Sequence, residues 1–109
     1  MDPKATRSWL IRIIRQRRLL LQAGLSKKNP MLCESICERL SRYLSANPYS
    51  GDKIYRFIAR HYSDILIIIP GNDALEFNLK ILNQCAQKSK TLSTSTAAPL
   101  PTQLLLALP

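Results

Sequence analysis

Residues Trp9–Leu25 read WLIRIIRQRRLLLQAGL, and everything else in the chain has to accommodate them. Wound into a helix at about 100° per residue, they place Trp9, Leu10, Ile13, Ile14, Leu20, Leu21 and Leu25 on one broad arc. Arg12, Arg15, Gln16, Arg18 and Gln22 take the opposite side, so the helix is amphipathic with a cationic back. Arg17 breaks the pattern by projecting from the middle of the apolar arc, where a guanidinium must snorkel, pair with a carboxylate or meet a partner. From Met1 to Lys28 there are eight Lys or Arg and one acid, Asp2, a local balance of +7 within a total of +9. Charge gathered at one end in this way points to an acidic partner.

On the N-terminal side, Met1–Ser8 reads as a polar leader in which Pro3 argues against helix. The basic helix is expected to begin near Ala5–Ser8, with Ser8 as a cap, and to end near Gly24, which can supply a left-handed cap. On the C-terminal side, Asn29-Pro30 opens a second helix, with Asn29 as N-cap and proline at the first helical position. Cys33, Ile36, Cys37, Leu40 and Leu44 give it a core-facing stripe, Glu38 and Arg42 pair four apart on its outer face, and Asn47-Pro48 ends it. Asp52 or Ser50 can cap a third helix, in which Ile54, Phe57, Ile58, His61 and Ile65 share a face opposite Lys53, Arg56 and Arg60. The β-branched run Ile65–Ile69 suits a strand or a buried helical turn. With no second strand-like segment to pair it, helix is the reading adopted. After the turn signal Pro70-Gly71, Asp73-x-x-Glu76 matches a capping box opening a fourth helix, expected to be the most buried.

These signals predict an all-α bundle of about four helices, roughly 6–25, 30–46, 52–68 and 73–88. They divide the chain into a basic amphipathic helix over 1–28, a helical core over 29–88 and a disordered Ser/Thr/Pro/Leu tail over 89–109. In an alternative arrangement, helices two to four form the bundle and Trp9–Leu25 hangs off as an arm. Within the tail, Leu104–Leu106 has the composition of a docking peptide, although an uncharged floppy tail is the simpler reading.

The composition excludes several classes. No stretch approaches the roughly 18–20 apolar residues that span a bilayer. Arg12, Arg15, Arg17 and Arg18 break up any secretory signal, while the same Arg-rich, acid-poor start fits a mitochondrial presequence as a competing reading. Three cysteines are too few for a disulfide framework and suit a reducing, intracellular compartment. Catalysis is not expected. His61, the single histidine, lies in an apolar stripe, Gly24, Gly51 and Gly71 are isolated, and Glu34 and Glu38 have no histidine to complete a site. Cys33, Cys37, His61 and Cys85 all face inward and make a legitimate zinc set, but buried thiols are ordinary core residues, so no metal or cofactor is expected. The profile suits a small non-enzymatic accessory protein from a compact genome such as a viral one.

Three binding readings remain. In the leading one, Arg7, Arg12, Arg15, Arg17, Arg18, Lys27 and Lys28, extended by Arg56 and Arg60, contact nucleic acid, RNA foremost, through its phosphates. About five neutralised phosphates would give a log–log salt slope of roughly −3.5 to −4.5. Trp9, Tyr43, Tyr55 and Tyr62 are the aromatics available for stacking, though they suit packing better. In the second, the helix lies on an anionic membrane surface with its arginines at the headgroups. In the third, its apolar face enters a protein partner's groove or pairs with a second copy, with Arg17 in an interfacial ion pair.

Overall fold

The computed structural model describes residues 1–96, with side chains through Leu92. It is all-α over this range, with helices α1 Pro3–Gln22, α2 Pro30–Ala46, α3 Lys53–Arg60, α4 Tyr62–Ile68 and α5 Leu75–Thr96.

The first helix starts earlier than its sequence suggests. Asp2 is the N-cap, its carboxylate accepting the Ala5 N–H at 2.7 Å, and Pro3 sits in the first turn, where a missing N–H leaves nothing unsatisfied. Pro3 therefore opens the helix it was expected to exclude, and Ser8 lies inside it. The far end closes as the sequence implies. Gly24 has φ +70°, and the N–H groups of Gly24 and Leu25 donate to the carbonyls of Leu21 and Leu20 at 3.1 and 2.8 Å. This paired closure satisfies the last carbonyls and requires the left-handed residue.

The second helix follows its signals closely. The Asn29 side chain accepts from the N–H groups of Met31 and Leu32. Cys33, Ile36, Cys37, Leu40 and Leu44 are all buried, and Glu38 and Arg42 form an exposed ion pair of 3.1 Å.

The single helix expected over 52–68 is two helices meeting at His61, which caps the end of α3 and the start of α4 with φ −104° and ψ 24°. The ladder survives the bend, because the His61 N–H donates to Phe57 and its carbonyl accepts from Ile65. Two packing demands account for it. The inner face of α3 packs mainly against α5, whereas that of α4 turns to α2, and one straight axis does not serve both. Ile65–Ile68 is helical, and Ile69 is extended, as a residue before proline should be.

The last helix begins at Leu75. Its approach is held by the Asn72 side chain, which accepts the Ala74 N–H, instead of by the Asp73–Glu76 box. It continues through Thr96, so residues 89–96, assigned to the tail, are helical, and Ser89 is buried. Residues 97–109, with Leu104–Leu106, lie outside the described residues. Nor is this the most buried helix. Asn78, Ile81, Leu82 and Cys85 face inward, but Phe77 is 56% exposed.

The first helix is built into the core, packing on α2, α3 and α4. Trp9, Leu10, Ile13 and Ile14 join the stripes of the other helices in one cluster, and Trp9, 1% exposed, donates its indole N–H to the Asn78 side chain on α5 at 3.0 Å. The basic helix is thus a wall of the same core as residues 29–88. The arm arrangement does not occur.

Candidate functional site

The fold sorts the nine cations singled out from the sequence into three groups. Arg17 is 3% exposed and lies inside the molecule. Its Nε donates to the Ile68 carbonyl at 2.9 Å, Nη2 to the Ile69 carbonyl at 3.0 Å and Nη1 to the Ser26 hydroxyl at 3.0 Å. Those carbonyls terminate α4, where helix dipoles leave partial negative charge, so the guanidinium caps a helix from the side. Arg7 is half-buried and does the same for α2, its guanidinium donating to the carbonyls of Pro48 and Leu44. Both residues are therefore withdrawn from the proposed anion-contacting surface. Hydrogen-bonded to the fold, they are structural.

A second group is exposed. Arg12 and Arg15 stand on the outer face of α1, and among the described residues no hydrogen bond or ion pair holds either side chain. Lys4 lies along the same exposed arc. Lys27 and Lys28 follow the helix end, also exposed. No carboxylate occurs between Pro3 and Lys28, so nothing within this segment offsets their charge. Arg18, by contrast, borders a shallow depression with Glu34 and Glu38 of α2, which weaken its field.

The third group, Arg56 and Arg60, is exposed one turn apart on α3, away from its buried Ile54, Phe57 and Ile58. These arginines belong to a different helix and do not lengthen the α1 stripe. The two ion pairs among the described residues, Arg39–Asp64 at 2.8 Å and Arg42–Glu38, involve none of the nine.

Beside the end of α1 lies a cleft of about 400 Å3. Leu20, Leu25 and Pro70 give it apolar walls, Gly71 and Asn72 continue one side, and Lys27 and Lys28 stand at its rim. Leu25 is 65% exposed.

The titratable core groups are poor reactive centres. Burial raises the Cys37 thiol above its ordinary value and pushes Cys85 up to about 11. Burial also lowers the His61 pKa, favouring a neutral ring that packs against Tyr43 and Phe57. Among the described residues, no three His, Cys, Asp or Glu side chains form a group that could hold a metal ion; Cys33, Cys37 and Cys85 are buried thiols, and His61 is half-buried. Of the candidate stacking aromatics, Trp9 and Tyr55 are buried, Tyr43 meets the edge of Phe57, and Tyr62 donates to Asn83.

Sequence reasoning missed the carbonyl-capping roles of Arg7 and Arg17. The position of Arg17 within an apolar arc was the one available signal, and it marked the residue as unusual without naming its acceptors. No family model, no curated protein and no solved structure matches this chain.

Proposed function

We propose that this is a non-enzymatic helical accessory protein that binds RNA through the phosphate backbone, using the outer face of α1. The observation that carries the reading is the pair Arg12 and Arg15, exposed, uncompensated and fixed on a helix whose inner face anchors the core. About 4.5 Å apart along the axis, they present two planar donor forks from a rigid support. Lys27 and Lys28 continue the positive surface past the helix end.

The competing readings need the aliphatic face of α1, and the core already occupies its greater part, from Trp9 to Ile14. Inserting Trp9, Leu10, Ile13 and Ile14 into lipid or into a partner's groove would require the bundle to open. No described helix is long and apolar enough to cross a membrane.

Fluorescence anisotropy with a labelled RNA, titrated at several salt concentrations, tests the proposal. With Arg12, Arg15, Lys27 and Lys28 as the four contacting cations, once Arg7, Arg17, Arg18 and the separate pair Arg56 and Arg60 are set aside, the log–log slope is expected to be about −2.8 for a single strand or about −3.6 for a duplex. That is shallower than the sequence alone suggests. The double variant Arg12→Gln, Arg15→Gln should reduce the slope by about 1.4 on a single strand and leave the unfolding midpoint nearly unchanged. A slope near zero in the wild type rejects the reading.

A further inference from the structure

The cleft at the end of α1 adds a specificity that phosphate contacts alone do not supply. Its volume, about 400 Å3, is at the small end of ligand-binding cavities and too small to take in a helix. Its shape is held in place before any ligand arrives. The Arg17 guanidinium bonds to Ser26 and to the carbonyls of Ile68 and Ile69, tying α1, the segment after it and the end of α4 into one frame around the cavity. The apolar walls from Leu20, Leu25 and Pro70 suit the face of a flat ring. The backbone at Gly71 is open, with no heavy atom within 4 Å of where a Cβ would stand. The Asn72 side-chain oxygen is engaged with the Ala74 N–H, which leaves its amide nitrogen to donate to a ring acceptor. Lys27 and Lys28 at the rim place positive charge where the phosphates flanking such a ring would run.

We infer that the RNA is engaged as a single strand, with one unpaired base seated in the cleft between Leu25 and Pro70 and its flanking phosphates on Lys27 and Lys28. This rests on the phosphate-binding reading above and deepens it. A duplex keeps its bases stacked and presents only their edges, so a concave cavity selects a base that is splayed out. Apolar side chains hold such a base by its faces, which makes the contact tolerant of base identity.

The test compares three RNAs in one buffer: a 12-nucleotide oligouridylate, a 12-residue abasic phosphoribose chain of equal charge, and a 12-base-pair duplex. Wild-type protein is expected to bind the oligouridylate about ten-fold more tightly than the abasic chain, a gain that burying one base against aliphatic walls can supply, and more tightly than the duplex. Charge density alone would favour the duplex. Gly71→Leu adds bulk to the cleft lining at a position where a Cβ meets no heavy atom within 4 Å, and should lower oligouridylate affinity to that of the abasic chain, whose own affinity stays constant. Leu25→Ser, at an exposed position, is a second variant with the same expected loss. Circular dichroism verifies that both variants are folded. Equal binding of oligouridylate and abasic chain, tighter binding of the duplex, or indifference to both substitutions would overturn the cleft assignment while leaving phosphate binding intact. Failure of all three RNAs to bind at low salt would overturn both.

Discussion

Arg17 is a buried cation held by two carbonyls and a hydroxyl, and it forms no ion pair among the described residues. Its worth lies in what its removal would expose. Arg17→Met keeps the apolar stem but strands the Ile68 and Ile69 carbonyls, each a buried acceptor whose loss of partner costs about 1–3 kcal/mol. A destabilisation of about 3 kcal/mol is expected, read as a lower urea midpoint at unchanged slope. Cys85 makes a different residue-scale prediction. Its thiol, 3% exposed and with its pKa pushed up to about 11, holds its proton in the folded chain beyond the pH at which an unfolded thiol, near about 8.5, has lost it. The folded state then binds more protons, so the stabilisation is complete below the unfolded value and declines as pH rises towards 11. This thiol should contribute a loss of up to about 1.4 kcal/mol per pH unit in that window. The difference in urea midpoint between wild type and Cys85→Ala, measured at pH 8 and pH 10.5, isolates it.

At the scale of the element, helix ends carry much of the specification. The Gly24 closure of α1 demands a left-handed residue, although the space around it is empty. Gly24→Ala should therefore destabilise through backbone strain alone, by about 1 kcal/mol, with a matching fall in the thermal midpoint. The α2 cap and stripe were legible because Asn29-Pro30, the apolar spacing and Asn47-Pro48 all specify the same boundaries. The bend at His61 was not legible. Ile54, Phe57, Ile58, His61 and Ile65 keep a continuous helical rhythm, and what divides them is tertiary packing, heaviest on α5 for α3 and on α2 for α4. The extension of α5 beyond Lys88 has the same character, since its Ser- and Thr-rich turns are poor helix formers and Ser89 is nevertheless buried.

For the whole molecule, the decisive fact is that the most basic helix is also an integral wall of the core. A fragment starting at Asn29 loses Trp9, Leu10, Ile13 and Ile14 together, and uncovers Cys37 on α2, whose thiol meets the Ile14 carbonyl. It is expected to show no cooperative unfolding transition by circular dichroism, whereas an independent arm would leave the transition intact. Burying the apolar side of α1 fixes the direction of its cationic side, so the surface proposed to meet phosphate is rigidly mounted. This arrangement predicts that Arg12→Gln with Arg15→Gln weakens RNA binding at constant fold, while Arg17→Met acts first on the fold.

The sequence by itself determined the helical class, the bounds of α2, the glycine closure after α1 and the concentration of charge near the amino terminus, because apolar periodicity, caps and composition are local properties. Helical periodicity already set Arg12 and Arg15 opposite the apolar arc and Arg17 within it, and only the tertiary structure decided what Arg7 and Arg17 bond to. Arg12, Arg15, Arg7 and Arg17 are the same residue type in one helix, and their fates differ because the ends of α2 and α4, distant in sequence, bring unsatisfied carbonyls to two of them and none to the others.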